Sequence, residues 1–346
     1  MHERRSALIA IAALVATGVT AAARFAAERA HAAPSLSSTQ CKLPAATGGD
    51  LGAGFPVGDQ ALPAVGTLDA AMIFVDFEDH PAPRGSLLKA ESNLRILFVT
   101  LDSLRYDVAR AALQAGQTPR LAKILPGGAW EERRTPGTFT LPAHIAFFSG
   151  FLPKLPQPLQ PPRLWECRPP AFKTVDAGAF VFDAPNLLTG LAQHGYRTVC
   201  IGGVTYSSRE TPLGSVLPDM FEEDHWRPQF CSPEPGSPRH QVDHALTVAE
   251  QYANHALFLF VNVSATHVPH GHYTGDSGDS WQSQAAALAY ADDHLGRLVD
   301  GLTGKKRWLI IMCADHGEAF GEDGYHGRGI AHPAVLNVPF AAWLSE

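Results

Sequence analysis

A run of apolar residues that ends in a charged turn decides how this chain folds. Residues 308–318 have the sequence WLIIMCADHGE. An apolar run of this length, Trp308–Cys313, is typical of a strand in a sheet that is covered on both faces. Asp315 and His316 follow this run closely. The pattern therefore predicts a buried strand that carries acidic and imidazole side chains at its carboxyl end.

Two further apolar runs are followed by residues of the same kinds. Residues 96–102 read ILFVTLD and end in Asp102. Residues 257–263 read LFLFVNV, and the segment after them contains His267 and His270. Three predicted strands thus present carboxylate and imidazole groups beyond their carboxyl ends.

Predicted strands alternate with predicted amphipathic helices after residue 93. The predicted strands are Ile96–Leu101, Thr198–Ile201, Leu257–Val263 and Trp308–Cys313. The predicted helices are Ser103–Ala115, Pro142–Phe148, Asn186–Gln193, Val242–Asn254 and Ser283–Leu302. This alternation is typical of an α/β fold with a largely parallel central sheet flanked by helices. Ligands bind at the carboxyl ends of such strands, so the acidic and imidazole residues are expected to meet at one edge of the sheet.

The composition fits a folded protein and argues against one class of partner. The chain has 346 residues, of which 45% are hydrophobic and 18% are charged, and this balance is enough to form a packed core. A formal net charge of −7 argues against a nucleic-acid partner. The five cysteines show no disulfide framework. Cys200 and Cys313 each lie in an apolar run and are interpreted as buried thiols.

The N-terminal part divides into two segments before the α/β pattern begins. Residues 1–32 combine a charged start, an Ala-rich apolar stretch and a small-residue pattern at Ala30–Ala32, which is typical of a signal peptide. An uncleaved anchor helix is the alternative. Residues 33–92 form a leader rich in Gly, Pro and Ala, with one strand-like run at Ala71–Val75. We therefore expect the α/β domain at residues 93–346. If the signal functions, the protein is secreted, periplasmic or attached to the cell envelope, and otherwise it is cytoplasmic.

Residues 135–150 contain the N-terminus of a predicted helix and, just before it, a threonine hydroxyl. Their sequence is TPGTFTLPAHIAFFSG. Pro142 fits the first turn of a helix without loss of a backbone hydrogen bond, which puts Thr140 just before the helix N-terminus. Helix-start amides favour anions such as phosphate or sulfate, and a nearby metal can ionise a hydroxyl at that place. A simple N-cap role for Thr140 is the alternative.

Carboxylate and imidazole groups at neighbouring strand ends form a metal-binding pattern. Asp102, Asp315 and His316 offer the oxygen and nitrogen ligands that zinc and manganese accept in proteins. Magnesium and calcium are further candidates. Asp102 taken alone can also be interpreted as the cap of the helix that follows it. The joint occurrence of these residues favours a metal site.

In these motifs the chain resembles the alkaline phosphatase superfamily, in its sulfatase-like branch. The resemblance covers residues 93–346. Its motifs are Asp102-Ser103-Leu104-Arg105-Tyr106-Asp107, Thr140-x-Pro142-x-His144 before Ser149-Gly150, His267-x-Pro269, and Asp315-His316-Gly317-Glu318 with His326-Gly327 beyond it. The resemblance implies that Thr140 is both the nucleophile and a metal ligand. It also implies that Asp102, Asp315 and His316 complete the metal site.

The same resemblance implies roles for further histidines and for one arginine. His326 completes a second metal site or contacts the transferred group. His267 holds the substrate anion or protonates the leaving group, and the second of these tasks is also open to His326. Arg105, His144 and His270 contact the anion or support the groups that do.

Two departures from the sulfatase pattern bear on the substrate and the metal. Sulfatases use a modified cysteine in a C-x-P-x-R element, whereas this chain has Thr140 and His144 at the corresponding positions. In this respect the chain is similar to nucleotide pyrophosphatases, phosphoethanolamine transferases and lipoteichoic acid synthases, which act on phosphoesters. Sulfatases also carry a second aspartate after the first strand, where this chain has Ser103. One metal ion is therefore better supported than two.

Together these features predict a metal-dependent hydrolase of phosphoesters whose substrate is a small molecule or part of the cell envelope. The alternatives are a phosphotransferase similar to the phosphoethanolamine transferases, a sulfate-ester hydrolase and a non-catalytic binding module of the same fold. No stable membrane span is expected after signal removal.

Residues 71–81 also resemble the leader of secreted metallopeptidases of the immune-inhibitor type. This second resemblance carries no chemistry because the chain has no HExxH motif.

Overall fold

A computed structural model describes residues 94–149, 165–166, 180–181, 186–276, 278–304 and 306–345. The predicted signal peptide and the predicted leader lie outside the described residues. Both segments therefore stay predictions.

Strands and helices alternate along the described chain. The strands are β1 (Arg95–Leu101), β2 (Glu131–Arg134), β3 (Trp165–Glu166), β4 (Phe180–Val181), β5 (Tyr196–Ile201), β6 (Glu223–His225), β7 (Ala256–Val263), β8 (Trp308–Cys313), β9 (Ala319–Phe320), β10 (His326–Gly327) and β11 (Asn337–Leu344). The α-helices are α1 (Tyr106–Gln114), α2 (Pro119–Ile124), α3 (Thr140–Ser149), α4 (Leu187–Gln193), α5 (Pro212–Ser215), α6 (Ser237–Gln251), α7 (Trp281–Thr303) and α8 (Pro333–Leu336). Single 3₁₀ turns lie at Pro126–Gly128, Thr205–Ser207, Pro218–Met220, Pro228–Phe230, Gly271–Tyr273 and Glu322–Gly324.

A seven-stranded sheet forms the centre of the fold, in the order β2-β11-β8-β1-β7-β5-β6. Strands β8, β1, β7, β5 and β6 run parallel to one another. Strand β11 pairs antiparallel with both β8 and β2. The predicted α/β class with a largely parallel sheet flanked by helices is confirmed. Because β8 and β7 flank β1, the carboxyl ends of these three strands meet at one edge of the sheet.

Helices bury both faces of the central strands. On one face Leu97 packs in a core shared with α1, α6 and α7, and on the other face Ile96 and Phe98 pack with α3 and α4. Alternate side chains of a strand point to opposite faces, so a strand buried on both sides has a continuous apolar sequence. Cys200 and Cys313 are buried free thiols, as predicted.

The turn between β1 and α1 differs from the prediction. The helix predicted to begin at Ser103 begins at Tyr106, because Ser103 has a φ of 63° in the left-handed region and cannot continue a helix. The N-cap of α1 is Arg105, and its side chain makes no capping hydrogen bond. The alternative that Asp102 caps this helix is therefore wrong. The other predicted strands and helices are present, with shifts at their ends.

Asp292 lies on α7 and caps a different helix. It is 3% exposed, and its carboxylate accepts the backbone N–H groups of Arg120 at 2.9 Å and Leu121 at 2.7 Å, in the first turn of α2. Asp292→Ala leaves both donors unpaired, so we expect the free energy of unfolding to fall by about 2 kcal/mol in urea denaturation. Asp293→Ala is the matched control, since Asp293 is exposed on the same helix. Equal losses in the two variants would contradict the capping role.

Candidate active site

The carboxyl ends of β1 and β8 place two carboxylates and an imidazole side by side. Asp102 follows β1, and Asp315 and His316 follow β8, which pairs with β1. His316 Nε2 lies 3.5 Å from Asp315 Oδ2 and 3.8 Å from Asp102 Oδ1. The ligand atoms of the three residues all lie within 4.8 Å of one another, and the three side chains are fully buried.

Thr140 brings its hydroxyl to the same cluster from the first turn of α3. Its Oγ1 is 3.3 Å from His316 Nε2, and the residue is 2% exposed. His316 Nδ1 donates to the Gly317 carbonyl at 2.8 Å, which leaves a lone pair on Nε2. The structure thus brings together the predicted nucleophile and the predicted ligands of its metal.

Two backbone N–H groups hold one oxygen of Asp315 and leave the other oxygen free. Ser103 N–H and His316 N–H each donate to Asp315 Oδ1 at 3.0 Å. Asp315 Oδ2 is buried and has no hydrogen-bond partner among the described residues. A buried carboxylate oxygen without a partner costs free energy, and a bound cation removes that cost.

The donor atoms and their spacing fit a divalent cation. Ligands at about 2.1 Å from a tetrahedral ion lie roughly 3.4 Å apart. The distances from His316 Nε2 to Thr140 Oγ1 and to Asp315 Oδ2, 3.3 Å and 3.5 Å, are close to that separation. Two carboxylates, one imidazole and one hydroxyl suit zinc or manganese. The cluster is therefore compatible with a divalent metal ion.

Burial and neighbouring charges set the protonation of the cluster. Burial, reinforced by the charge of Asp102, raises the pKa of Asp315 well above its ordinary value. Burial also acts to raise the pKa of Asp102, but the imidazoles of His267 and His316 and further charges outweigh it and hold that pKa below its ordinary value. Burial lowers the pKa of His316 to about 3, so its ring is neutral and can bind a metal.

His144 lies on α3 and is fully buried, and both of its ring nitrogens are close to polar atoms of the protein. Its Nδ1 is 2.7 Å from the Thr140 carbonyl oxygen and 3.7 Å from Asp315 Oδ2. Its Nε2 is 3.0 Å from Thr100 Oγ1. Burial lowers the pKa of His144. Of the two roles implied for His144, this geometry favours support of other groups over direct contact with an anion.

Arg105 is also buried, and its guanidinium is shared among neighbours. Nε and Nη2 donate to the two carboxylate oxygens of Asp107 at 2.8 Å and 2.6 Å. Nη1 pairs with Glu322 and donates to the Glu318 carbonyl at 3.3 Å. The hydrogen bonds of Arg105 therefore link the start of α1 to the segment around β9. Its contact with a substrate anion stays a prediction.

His267 and His326 occupy different environments. His267 is half-buried and lies close enough to Asp102 and His316 to shift both of their pKa values. His326 is exposed on β10 and is not part of the cluster of ligand atoms found in the described residues. A second metal site completed by His326 stays a prediction.

His270 is a fully buried imidazole in the segment after β7. Its Nδ1 is 2.8 Å from Ser283 Oγ, and its Nε2 has no partner in the part of the chain that the structure describes. Burial lowers its pKa to about 4, so the ring is neutral at physiological pH. Its predicted contact with the substrate anion remains a prediction.

A charged pair beside the cluster was not predicted from the sequence. Arg328 Nη1 donates to Glu318 Oε2 at 2.9 Å, and the charge of Arg328 contributes to the lowered pKa of Asp102. Burial raises the pKa of Glu318 against the opposing effect of Arg328. Arg328 directly follows the motif His326-Gly327, and this position is the sequence signal that could have identified it.

Two polar residues inside the sheet were also missed. Thr100 and Asn262 are register partners on β1 and β7. Asn262 Nδ2 donates to Asp102 Oδ2 at 3.1 Å and to Thr100 Oγ1 at 3.0 Å. The signal that could have found them is a polar residue that interrupts an otherwise apolar strand.

Comparison with known proteins establishes the family. The family model described as Sulfatase matches residues 95–346. The chain belongs to the sulfatase family. This confirms the resemblance to the sulfatase-like branch of the alkaline phosphatase superfamily, and it indicates an enzyme of the hydrolase or transferase type. No curated protein sequence matches the chain significantly.

Several solved structures share the fold. The lipoteichoic acid synthase LtaP from Listeria monocytogenes is 12% identical over 74% of this chain and 66% of its own, with a TM-score of 0.51. The C-terminal periplasmic domain of the phosphoethanolamine transferase EptC from Campylobacter jejuni is 12% identical over 74% and 80%, with a TM-score of 0.50. The soluble domain of lipooligosaccharide phosphoethanolamine transferase A from Neisseria meningitidis is 14% identical over 74% and 78%, also with a TM-score of 0.50. Among the described residues, no helix has both the length and the apolar character needed to cross a bilayer.

Proposed function

We propose that this protein is a metal-dependent phosphoesterase in which Thr140 is the nucleophile. The observation that carries the proposal is the 3.3 Å contact of Thr140 Oγ1 with His316 Nε2 in a buried cluster with two carboxylates. Thr140 is the first residue of α3, and its Oγ1 contacts His316 instead of lying at the N-cap position before the helix. Thr140, Asp102, Asp315 and His316 would hold one divalent cation, with zinc or manganese the best match to the donor set.

The reaction follows from the positions of the side chains. When bound, a divalent cation lowers the pKa of an adjacent hydroxyl and neutralises charge on phosphoryl oxygens. Thr140 loses its proton to water, and its Oγ1 forms a bond to phosphorus while the bond from phosphorus to the leaving oxygen breaks. His267, the half-buried imidazole near the cluster, gives a proton to that leaving oxygen. Water then attacks phosphorus, gives one proton to His267 and displaces Thr140, whose oxygen takes back a proton from water.

The residue at position 140 supports a phosphoester over a sulfate ester. Sulfatases use a modified cysteine at the corresponding position, and this chain has an unmodified hydroxyl group available there. An ionised threonine attacks phosphorus directly and leaves a covalent phospho-threonine. Sulfate-ester hydrolysis is therefore the less favoured chemistry.

Transfer to an alcohol is the second candidate function. The same phospho-threonine serves for transfer when an alcohol takes the place of water. Phosphoethanolamine transferases are among the proteins that share the fold. One of these structures is described as a periplasmic domain, and this supports export and an envelope-associated substrate in line with the predicted signal peptide.

The test is turnover by chelator-stripped protein before and after zinc or manganese is restored. We expect hydrolysis of the nitrophenyl esters of a phosphomonoester or phosphodiester only in the presence of metal, and no hydrolysis of nitrophenyl sulfate. Addition of ethanolamine or glycerol, with products followed by phosphorus NMR, separates hydrolysis from transfer. Turnover of the sulfate ester alone would overturn the substrate class. Bound metal without any turnover would favour a binding module of the same fold.

A further inference from the structure

A chain of buried hydrogen bonds joins the backbone of Thr140 to the carboxylate of Asp102. Successive distances are 2.7 Å from the Thr140 carbonyl to His144 Nδ1, 3.0 Å from His144 Nε2 to Thr100 Oγ1, 3.0 Å from Thr100 Oγ1 to Asn262 Nδ2, and 3.1 Å from Asn262 Nδ2 to Asp102 Oδ2. No member of the chain is more than 2% exposed. The hydrogen-bonded chain is therefore buried along its whole length.

The direction of the first hydrogen bond, at the Thr140 carbonyl, determines the direction of the other hydrogen bonds in the chain. A carbonyl oxygen only accepts, so His144 Nδ1 carries a hydrogen and donates to Thr140. The neutral ring then accepts at Nε2, so the Thr100 hydroxyl donates to His144. The Thr100 oxygen accepts one N–H of Asn262, and the Asn262 amide also donates to Asp102. Each of these hydrogen bonds thus has one donor and one acceptor with the residues in their neutral forms, apart from the terminal carboxylate. Asn262 Oδ1 has no hydrogen-bond partner among the described residues.

The chain lies in an aromatic part of the core, where polar groups are expensive. The ring of His144 is 5.3 Å from that of Phe260 and 5.7 Å from that of Phe147, measured between centroids. Thr100 and Asn262 lie side by side on strands that are otherwise apolar at their neighbouring positions. Apolar residues of similar volume would stabilise such a core at least as well. The three polar residues are therefore better explained by what they orient than by stability.

We infer that Asn262, Thr100 and His144 are positioning residues that fix the Asp102 carboxylate relative to the first turn of α3. Asn262 donates to Oδ2 of Asp102. The other oxygen, Oδ1, accepts from Ser103 Oγ at 3.1 Å and lies 3.8 Å from His316 Nε2. The opposite end of the chain holds the carbonyl of Thr140, whose hydroxyl contacts the same His316 nitrogen. The inference rests on the proposed function only in requiring that Asp102 is a metal ligand.

Zinc dissociation constants of chelator-stripped variants test the inference, measured by competition with a fluorescent chelator. Asn262→Leu removes the bond to Asp102, and we expect it to weaken zinc binding by about 10-fold to 100-fold. Thr100→Val keeps that bond but cuts the link to His144, so we expect a loss nearer to 10-fold. Thr100→Ser restores the hydroxyl and is expected to bind zinc within about 2-fold of the wild type.

Thr118→Val is the matched control for Thr100→Val. Thr118 is equally buried, and its Oγ1 has no hydrogen-bond partner among the described residues, so this variant should bind zinc as the wild type does. Wild-type zinc affinity in both Asn262→Leu and Thr100→Val overturns the inference. If circular dichroism shows that Asn262→Leu does not fold, the comparison of Thr100→Val with Thr100→Ser decides alone.

The same measurements separate this inference from the proposed function. A wild type that binds zinc but turns over no phosphoester contradicts the proposed function, and weaker zinc binding by the variants still supports the positioning role. A wild type that is active, with variants that bind zinc equally well, contradicts only the positioning role. A wild type that binds no divalent metal contradicts both.

Discussion

Replacement of Thr140 by alanine is expected to reduce phosphoester turnover by about 10³-fold or more in kcat/KM. The variant lacks the oxygen that forms the bond to phosphorus, and it also lacks one predicted ligand of the metal. In the described part of the chain, the side-chain hydroxyl of Thr140 has its hydrogen bond with His316 Nε2, so the fold should survive. The measurement is steady-state turnover of a chromogenic phosphoester with metal restored, together with circular dichroism to confirm folding.

Two further variants make the Thr140 result specific. Thr138→Ala is the matched control, because Thr138 is buried two residues away and its Oγ1 has no partner among the described residues. It should keep nearly full activity. Thr140→Ser retains a hydroxyl and should keep part of the turnover. An acid-quenched wild-type reaction should also carry a phosphoryl group on the peptide that contains Thr140. Wild-type turnover by Thr140→Ala would remove this residue from the mechanism.

Four of the five inner strands of the described sheet, β1, β5, β7 and β8, could be predicted from the sequence because burial on both faces gives them apolar runs. The fifth inner strand, β11, was not predicted. The edge strands could not be predicted in this way. Strand β2 has the sequence EERR, and β6 consists of Glu223–His225. Among the described strands, β2 pairs only with β11 and β6 only with β5. Short, charged edge strands resist pairing with other chains. Because these strands contain no apolar run, the apolar pattern of the sequence does not predict them.

The residues of the cluster could be predicted because each follows a strand or begins a helix within a short motif. The groups that orient them depend on pairing between distant segments. Asn262 and Thr100 are 162 positions apart and meet only through the register of β1 and β7. Ser103 and Asp315 are 212 positions apart, and their hydrogen bond needs the left-handed turn after β1. Single-sequence patterns carry no information about either pairing.

Replacement of Asp315 by asparagine is expected to stabilise the metal-free protein. The new side-chain oxygen can still accept from the N–H groups of Ser103 and His316. The amide nitrogen takes the place of Oδ2, which lies 3.5 Å from His316 Nε2 and has no hydrogen-bond partner in the described structure. The variant thus removes a carboxyl group whose charged form is unfavourable in this buried position beside Asp102, at little cost in packing, as expected where function is maintained at the expense of stability. Thermal melts of chelator-treated samples measure the gain.

The same variant is expected to lose its response to zinc. At a free zinc concentration of 100 times its dissociation constant, the wild type gains about 2.7 kcal/mol of stability. Loss of a charged ligand should weaken binding by more than about 100-fold, so Asp315→Asn gains almost nothing under the same conditions. Asp293→Asn is the control, because that carboxylate is exposed on α7 and should leave the zinc response intact. An Asp315→Asn protein that zinc still stabilises fully would show that Asp315 is not a ligand.

The stability gained by Asp315→Asn in the metal-free state should also grow with pH. The raised pKa of Asp315 means that the folded protein keeps a proton that the unfolded carboxyl, with an ordinary pKa of about 3.9, has already lost. At this carboxyl the unfolded state then binds fewer protons, so the contribution of Asp315 to wild-type stability falls as pH rises above that value until the folded carboxyl ionises as well. Asparagine does not titrate. The difference in melting temperature between variant and wild type should therefore be smallest near about pH 4 and largest at neutral pH. A difference that shrinks over this range would mean that Asp315 is already ionised in the folded protein at low pH, and that its burial does not carry the cost assigned to it here.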